Sequence, residues 1–335
     1  DSQVQANTVF KPGKSDAAVI RLREQNEKNK NKVFSGVAAS VDCNSRWVFL
    51  DPFRGTIAAV AESARNVSCV GAEPVAITNN LNFPSPETDI GYWQLSSSCN
   101  GISEACKAFE TPVTGGNVSL YNESKNKENV ITPINPTPVI GMVGKIDNVE
   151  KAISSEWKNI HDQIWLIGSY KSETTISASS YLEYFHGEIT GRPPKLDLGD
   201  EKFCQGFLRN AILKSLVVSS HDVSDGGLCI ALAECCILSG KGATIDLNKD
   251  FNRDDNLLFG EGGSRIIFSI DKMKENEWLN YLKENQINFQ QSIYVKKIGN
   301  VSSKNLNIKI RDKDICNIRV EELTEKFNNS ISGHL

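Results

Sequence analysis

The sequence predicts an α+β protein of two domains. Its 335 residues exceed the length of most single domains, which commonly hold about 100–200 residues. Across residues 1–148, strand-like and helix-like segments alternate without a regular βαβ repeat, which is typical of α+β folds. We therefore predict an α+β domain over 1–148, a linker over 149–159, a layered α/β domain over 160–322 and a tail over 323–335.

The composition argues against several classes of protein. Hydrophobic residues make up 39% of the chain and charged residues 23%, with a formal net charge of -4, which fits a soluble globular protein. No long run of Lys and Arg is present, so nucleic-acid binding is not expected. No apolar run approaches the ~18 residues that a membrane span requires, so membrane association is not expected. The first ten residues do not read as a signal peptide.

The cysteines predict a reducing compartment. Nine are scattered along the chain, an odd number, and no Cys-X-X-Cys motif occurs. This pattern favours free thiols over a disulfide framework, and it lacks the ligand spacing of a zinc site. We therefore expect a cytoplasmic protein without structural zinc.

The first domain is predicted to open with strands. Residues 16–22 have the pattern of a short edge strand, and residues 37–41 that of a second strand. A turn then leads to the apolar residues 47–50, which we interpret as the returning strand of a hairpin. Residues 56–70 place Ala and Val on one helical face, and Gly71 follows as a stop, so a helix is predicted here.

Three asparagines follow the next strand, which is predicted over residues 74–78. Asn79, Asn80 and Asn82 fall within four consecutive positions. The pattern fits an Asn-rich turn, and it fits equally a set of amides that face a polar ligand. Residues 87–109 then show helical periodicity. The core candidates of this helix are Trp93, Leu95, Ile102, Ala105, Cys106 and Phe109.

The segment 111–122 carries the clearest functional pattern. A short apolar run predicts the end of a buried strand, and Gly115-Gly116 is then predicted to break the chain and to allow positive φ, which lets backbone N–H groups approach a ligand. Asn117 and Ser119 are two residues apart, so in an extended segment they share one face. Backbone amides beside oxygen ligands suit a phosphate and its Mg²⁺. A tight turn without a ligand is the alternative interpretation.

The remaining elements are predicted from short apolar runs and helical periodicity. Residues 130–146 predict strands interrupted by prolines. In the second domain, predicted strands cover residues 163–168, 217–219, 266–270 and 293–298, and predicted helices cover residues 177–185, 198–215 and 274–284. The tail is interpreted as a loose helix end.

The motif from His221 to Leu228 joins a buried strand to a following helix. Ser224 or Asp225 is the predicted N-cap, and the first turn of such a helix offers free N–H groups. His221 and Asp222 could instead form a dyad, but consecutive residues at a strand end point in opposite directions. We therefore favour a helix start over a catalytic pair.

Six sequence blocks together resemble one family. They are Asp51-Pro-Phe-Arg-Gly55, Ala64-Arg-Asn-Val-Ser-Cys-Val-Gly-Ala-Glu-Pro74, Leu81-Asn-Phe83, Gly115-Gly-Asn-Val-Ser-Leu-Tyr-Asn122, Pro136-Thr-Pro-Val-Ile-Gly-Met-Val-Gly144 and His221-Asp-Val-Ser-Asp-Gly-Gly-Leu228. The chain resembles the phosphoribosylformylglycinamidine synthase family of the small bacterial type. The resemblance spans nearly the whole chain and corresponds to the C-terminal half of the synthetase subunit.

The resemblance implies a fold and a set of partners. The family pairs an aminoimidazole-ribonucleotide-synthetase-like N-terminal domain with an α/β-layered C-terminal partner domain, and its full subunit holds two such halves. The nucleotide and substrate site is then expected in residues 1–148. The implied partners are the N-terminal half of the same synthase, a glutamine amidotransferase subunit and a small accessory subunit.

The resemblance also implies an activity in purine biosynthesis. The family uses ATP and Mg²⁺ to activate the formamide oxygen of formylglycinamide ribonucleotide, and glutamine-derived ammonia then displaces phosphate. By motif, Asn79 and Gly116 correspond to ATP-binding positions, Asn117 to a Mg²⁺ ligand and Ser119 to a substrate contact. Asn79 stands where the family usually has Asp, which removes a charge but keeps an acceptor oxygen.

No catalytic residue is expected within this chain, because the family's general-base histidines belong to the other half. We therefore predict that the chain alone does not catalyse. One alternative is a non-catalytic scaffold half that shapes the site of its partner. Another is a different member of the same ATP-binding superfamily, such as aminoimidazole ribonucleotide synthetase or selenophosphate synthetase, which the blocks at 51–55 and 117–122 disfavour.

Overall fold

A computed structural model describes residues 6–11, 13–22, 34–247, 253–287 and 292–331. Two sheets of five and seven strands organise these residues. The strands of the first part are β1 (Ala18–Arg21), β2 (Gly36–Asp42), β3 (Glu73–Asn82), β4 (Val113–Ser119), β5 (Glu123–Lys125), β6 (Ile131–Pro133) and β7 (Thr137–Ile146). Five of them form a sheet in the order β1-β2-β7-β3-β4, and β5 and β6 form a separate hairpin. Only β3 and β4 run parallel, and β4 lies at the edge.

Helices cover one face of this sheet and leave the other open. They are α1 (Ser45–Leu50), α2 (Pro52–Cys69) and α3 (Asp89–Phe109). On the covered face, Ile140 and Met142 are fully buried against the small side chains of α2, among them Ala61. On the open face, Val41 is 73% and Val143 36% exposed. The Ala- and Val-rich stripe of α2 therefore packs within this chain.

Residues 47–50 lie in α1, so the predicted hairpin is wrong. Asn44 accepts a hydrogen bond from the Trp47 backbone N–H (3.1 Å) and so caps a short helix. Trp47 and Val48 are both buried, and Trp47 packs with Ala58 of α2. The apolar run is short enough to fit a strand or a helix, and the cap decides in favour of the helix.

The strand predicted over residues 74–78 continues through the asparagines as β3. Ile77 is its one fully buried side chain, and the asparagines lie in extended backbone rather than in a turn. The predicted helix over 87–109 is α3, and Ile102, Ala105, Cys106 and Phe109 are confirmed as core residues. Trp93 is 49% exposed, so its predicted place in the core is wrong.

The second part forms a seven-stranded sheet in the order β10-β13-β8-β14-β11-β15-β16. Its strands, with two short ones outside the sheet, are β8 (Gln163–Ser169), β9 (Thr174–Thr175), β10 (Val217–Asp222), β11 (Gly242–Leu247), β12 (Glu261–Gly262), β13 (Ile266–Ile270), β14 (Ile293–Ser302), β15 (Asn305–Ile310) and β16 (Lys313–Arg319). The helices are α4 (Ser180–His186), α5 (Leu198–Leu213), α6 (Gly227–Ser239), α7 (Asp254–Phe259), α8 (Glu275–Glu284) and α9 (Val320–Asn328). The four predicted strands and three predicted helices are confirmed, whereas β11, β15 and β16 were missed because polar residues alternate along them.

Helix α6 begins without the predicted cap. Gly226 occupies the N-cap position with φ of 76°, and no side chain caps the helix. The Asp225 carboxylate instead accepts a hydrogen bond from Asn44 (3.0 Å) and lies near Arg46. The prediction that Ser224 or Asp225 caps this helix is therefore wrong, because Asp225 bonds to the first part of the chain.

Residues assigned to the linker and the tail are packed. Trp157, in the predicted linker, is 1% exposed and belongs to the core under the seven-stranded sheet. Helix α9 packs on the same core through Val320 and Leu323, so the tail is not a loose end up to Asn328. Across the described residues, no helix is both long enough and apolar enough to cross a membrane.

Candidate functional site

The four predicted site residues lie together on two neighbouring strands. Asn79 of β3 pairs with Gly116 of β4 in the parallel ladder. In the same register, Asn80 pairs with Asn117, and Asn82 pairs with Ser119. The structure therefore brings both predicted groups to one corner of the five-stranded sheet, at its open edge.

The glycine pair does not break the chain. Gly115 and Gly116 lie inside β4, and neither has positive φ. Bonds from Ile77 N–H to Pro112 O (3.0 Å) and from Phe83 N–H to Ser119 O (3.0 Å) bracket this strand. The predicted loop is wrong, because pairing with β3 holds the segment extended.

Gly116 has a steric role instead. A Cβ built on it would lie 2.0 Å from the Asn79 Oδ1 atom and 2.7 Å from the Asn79 carbonyl oxygen. The Asn79 amide therefore occupies the space that a side chain at position 116 would need. A Cβ on Gly115 would meet nothing within 4 Å. The close approach explains the need for glycine at position 116 but not at position 115.

The predicted residues divide between the two faces of the sheet. Asn79 and Gly116 share the helix-covered face, on which Asn79 pairs with the buried Ile140. Asn117 and Ser119 share the open face with their register partners. From Val113 to Val118, β4 is exposed along its whole length. A ligand that contacts both pairs must therefore pass over the exposed edge of β4.

Hydrogen bonds hold the open-face side chains in place. The Asn117 amide donates to Asn80 Oδ1 at 3.4 Å. The Ser119 hydroxyl donates to Asn122 Oδ1 at 3.2 Å. The Asn122 amide in turn donates to the carbonyl oxygens of Ser119 (2.8 Å) and Phe83 (3.1 Å). Asn122 thus braces the strand end, a role that its position in the sequence block did not reveal.

Comparison with known families places the fold. Residues 14–146 match the model of the AIR synthase related protein, N-terminal domain, and residues 159–305 match that of the AIR synthase related protein, C-terminal domain. The chain belongs to the AIR synthase related proteins. The two matches confirm the predicted fold class, an N-terminal domain of this type followed by its C-terminal partner domain.

Individual relatives narrow the resemblance. The chain is 86% identical over 334 residues to the phosphoribosylformylglycinamidine synthase subunit PurL of Prochlorococcus marinus (strain MIT 9312), and the match covers 100% of this chain and 43% of that protein. The resemblance predicted from the sequence is thus confirmed. This AIR synthase related chain spans less than half the length of that relative.

Solved structures share the fold at low identity. The structure described as T. maritima PurL complexed with FGAR matches with a TM-score of 0.69 at 16% identity, over 96% of this chain and 48% of that one. T. maritima PurL complexed with ATP matches with a TM-score of 0.65 at 16% identity, over 87% and 44% of the two chains. The TM-scores show that the chain shares the fold of these structures. At 16% identity, the likeness shows nothing beyond the fold.

The corner offers neutral oxygen ligands to a metal. Asn80, Asn82, Asn117 and Ser119 share one face of the AIR synthase related chain, and all carry uncharged side-chain oxygens. Within the described ranges, no group of three or more His, Cys, Asp or Glu is placed to hold a metal ion. Mg²⁺ commonly keeps part of its water shell and takes few protein ligands beside phosphate oxygens. The donor set therefore fits a Mg²⁺ that is held mainly by phosphate.

A buried charge network that the sequence did not reveal joins the two parts of the AIR synthase related chain. Arg65 of α2 is 5% exposed, and its guanidinium contacts the Asp222 carboxylate of β10 and that of Glu201 in α5 (2.9 Å). Burial and the charge of Asp222 together raise the pKa of Asp42 to about 7, against the opposing effect of Arg65. Burial likewise raises the pKa of Glu62. No local pattern indicates this network, because its residues are far apart along the chain.

His221 and Asp222 do not form a dyad. The His221 ring contacts Asp16 through Nδ1 (2.6 Å) and Glu234 through Nε2 (3.0 Å), whereas Asp222 contacts Arg65. Burial disfavours the imidazolium, but the carboxylates of Asp16 and Glu234 outweigh burial and raise the pKa of His221. His221 is therefore a structural cation in the AIR synthase related chain, which agrees with the interpretation that favoured a helix start.

Proposed function

We propose that this chain is one half of an ATP-dependent C–N ligase of de novo purine biosynthesis. The reaction converts formylglycinamide ribonucleotide to formylglycinamidine ribonucleotide with glutamine-derived ammonia. The near-identity to one PurL sequence along the whole chain supports this proposal. The observation that carries it is the corner at the edge of β4. Asn79 and Gly116 lie there on one face of the sheet, and Asn117 and Ser119 lie on the other.

We assign ATP to the edge beside Asn79 and Gly116. With no Cβ at position 116, a nucleotide can reach the Asn79 amide and the exposed strand edge together. The amide offers one acceptor oxygen and two N–H donors, so it can bind hydroxyls or phosphate oxygens without a charge. Asn79 thus takes the place of the family's Asp as a weaker but competent polar contact.

We assign Mg²⁺ to Asn117 and the ribonucleotide substrate to Ser119. The Asn117 amide nitrogen faces Asn80, which leaves its oxygen as the atom that can face a cation. When bound, Mg²⁺ would neutralise phosphate charge at this corner. Asn122 fixes the Ser119 hydroxyl on the same face, where it can contact a substrate next to the nucleotide.

The site is proposed to be completed by further polypeptide. The relative's length leaves room for a second half, the N-terminal half of the same synthase. The open sheet face supports this, because exposed Val41 and Val143 lie on it and contiguous exposed apolar surface marks interfaces. A glutamine amidotransferase subunit and a small accessory subunit are the other proposed partners. We also propose a cytoplasmic location, since the nine cysteines are free.

This assignment implies different roles for the two domains of the chain. We propose that residues 1–148 bind nucleotide and substrate, and that residues 160–322 serve as the partner domain. His221 is held between two carboxylates, so it is a poor general base, and we assign no catalytic residue to this chain. Proton transfer is then expected from the missing half.

An assay of product formation tests the proposal. The chain is assayed with formylglycinamide ribonucleotide, ATP, Mg²⁺ and ammonium, alone and co-expressed with the part of the Prochlorococcus relative that it does not match. We expect turnover only from the co-expressed pair. Robust turnover by the chain alone would refute the half-site, and an inactive pair would refute the proposed activity.

A scaffold half with an idle nucleotide site is the second candidate. Asn79 favours it, because it stands where the family usually has a carboxylate and because the described residues hold no group of three or more His, Cys, Asp or Glu placed to bind a metal ion. ATP titration of the chain by calorimetry, with and without Mg²⁺, separates the two candidates. Binding that strengthens with Mg²⁺ and weakens in Asn117→Ala supports the ligase half, whereas no binding by chain and pair alike supports the scaffold.

A further inference from the structure

The β5–β6 hairpin stands in solvent. All thirteen residues from Glu123 to Asn135 are exposed. Three of them are β-branched aliphatic side chains: Val130 is 54%, Ile131 51% and Ile134 38% exposed. An isolated two-stranded hairpin is marginally stable in water unless another surface packs on it. We therefore expect another protein surface to pack on these side chains.

The tip of this hairpin is nevertheless specified by its own residues. The Asn126 side-chain oxygen accepts hydrogen bonds from the N–H groups of Glu128 and Val130, each at 2.9 Å. The Asn126 N–H donates to the Val130 carbonyl oxygen (3.1 Å), and Asn129 adopts the left-handed region with φ of 60°. Asn favours both arrangements in turns. The exposed aliphatic side chains are thus presented in a defined geometry.

The base of the hairpin is fixed to the segment before α3. The Glu123 carboxylate accepts a hydrogen bond from the Ser85 N–H (3.1 Å), and the Tyr121 hydroxyl donates to Glu87 (3.0 Å). The first turns of α3 then expose Ile90 at 68%. The hairpin and the start of α3, whose neighbouring segments these bonds join, thus both present exposed apolar side chains.

We propose that the β5–β6 hairpin is an arm that docks on the missing half of the synthase. The inference rests on the proposed function, because that function supplies the occupant. Two acidic and two basic residues cancel along the arm, namely Glu123, Glu128, Lys125 and Lys127, so the arm has no net charge and we assign its contact to the exposed aliphatic side chains. Burial of such aliphatic side chains against a partner is favourable, because it removes apolar surface from water.

The arm lies next to the proposed site, so a partner that docks on it is placed near that site. The hairpin lies between Ser119, the last residue of β4, and Thr137, the first residue of β7. A partner that covers Val130 and Ile131 is therefore brought to the end of the strand that carries Asn117. The arm holds the two halves of the proposed site in register.

Co-purification of substituted chains tests the arm. The 335-residue chain is co-expressed with the unmatched part of the Prochlorococcus relative, and its retention is measured by size exclusion and by titration. Val130→Thr with Ile131→Thr keeps β-branching while it removes apolar surface. We expect at least a tenfold loss of affinity. Met273→Thr, at a side chain that is 88% exposed outside the hairpin, is the control and leaves affinity unchanged.

Hydrogen exchange supplies a second measurement that does not depend on a substitution. Amides of residues 123–133 are expected to exchange more slowly in the pair than in the chain alone. Equal affinity of substituted and unaltered chains, or equal exchange, would overturn the arm while leaving the two-part site intact. Absence of any pairing by the unaltered chain would overturn the two-part site itself. Self-association that the substitutions abolish would assign the hairpin to a homodimer instead.

Discussion

The contact between Gly116 and Asn79 makes a prediction at the scale of one residue. In Gly116→Ala, the new Cβ meets the Asn79 amide and its carbonyl oxygen, and the carbonyl cannot rotate away. We expect ATP affinity to fall at least tenfold, about 1.4 kcal/mol, together with a lower unfolding temperature. Titration calorimetry and thermal unfolding measure the two effects.

The neighbouring glycine is the matched control. Gly115→Ala adds the same methyl group where no atom lies within 4 Å. ATP affinity and unfolding temperature should match those of the unaltered chain. If both alanine variants lose ATP affinity equally, flexibility of the glycine pair matters rather than the close approach at Gly116.

Asp42 predicts a pH dependence of stability. One of its carboxylate oxygens is buried without a hydrogen-bond partner within the described residues, and burial raises its pKa to about 7. Because the folded pKa exceeds the unfolded value of about 3.9, the folded state holds the proton more tightly. The stability contributed by that proton is present below pH 4 and is lost as pH rises to about 7.

Asp42→Asn removes this dependence. The amide is neutral at every pH, so we expect the variant to be more stable than the unaltered chain at pH 8, by on the order of 2 kcal/mol, with little difference at pH 4. Urea unfolding across this pH range measures the effect. Asp147→Asn, at a side chain that is 80% exposed, should leave the pH profile unchanged. A gain of stability at low pH alone would contradict the argument.

At the scale of elements, the start of α2 shows why the sequence blocks were informative. Asp51 caps the helix by accepting a hydrogen bond from the Arg54 N–H (3.0 Å), and Pro52 occupies the first turn. Asp51 also lies 3.6 Å from Arg192 of the second part. The sequence block beginning at Asp51 is therefore a helix start as well as a contact between the two parts.

Loss of this cap is expected to cost about 1 kcal/mol, with a range of 0.5–2. Asp51→Ala should therefore lower the midpoint of urea unfolding. Asp51→Asn keeps the acceptor oxygen but not the charge, so it separates the cap from the ion pairs with Arg54 and Arg192. Equal losses in the two variants would show that these ion pairs, rather than the cap, stabilise this segment.

Most elements were predictable from periodicity, and the failures have local causes. Residues 47–50 were assigned to a strand because a four-residue apolar run has no clear period, and the Asn44 cap decides the outcome. The glycine pair was assigned to a loop because glycine usually breaks strands, yet parallel pairing with β3 keeps it extended. Strands such as β16 were missed because polar residues alternate along an exposed edge.

The geometry of the candidate site was only partly predictable from the sequence. The two-residue spacing of Asn117 and Ser119 placed them correctly on one face of a strand. Gly116 and Asn117 are consecutive in β4, so they take opposite faces once the segment is a strand. That Asn79 is the residue beside Gly116 depends on a register shift between Ile77 and Thr78, which no local pattern encodes.

At the scale of the whole molecule, Arg65 couples the two parts of the chain. Its guanidinium, nearly sealed from solvent, bridges Asp222 and Glu201 of the second part from a helix of the first. Two nearby carboxyls, Asp42 and Glu62, have raised pKa values, so the network has more acidic groups than Arg65 alone can balance. Removal of Arg65 would leave those carboxylates buried together without their cation.

Arg65→Met is therefore expected to cost about 3–5 kcal/mol, because breaking a buried pair leaves an uncompensated charge. We further expect the two parts to unfold in separate calorimetric transitions, since the substitution removes the charged contact between α2 and the second sheet. Arg209→Met is the matched control. Arg209 crosses the same junction, and among the described residues it donates to the neutral Ser68 hydroxyl (2.8 Å), so its loss should cost about 1 kcal/mol and keep a single transition. Equal effects of the two substitutions would show that packing at the junction, rather than the Arg65 network, joins the two parts.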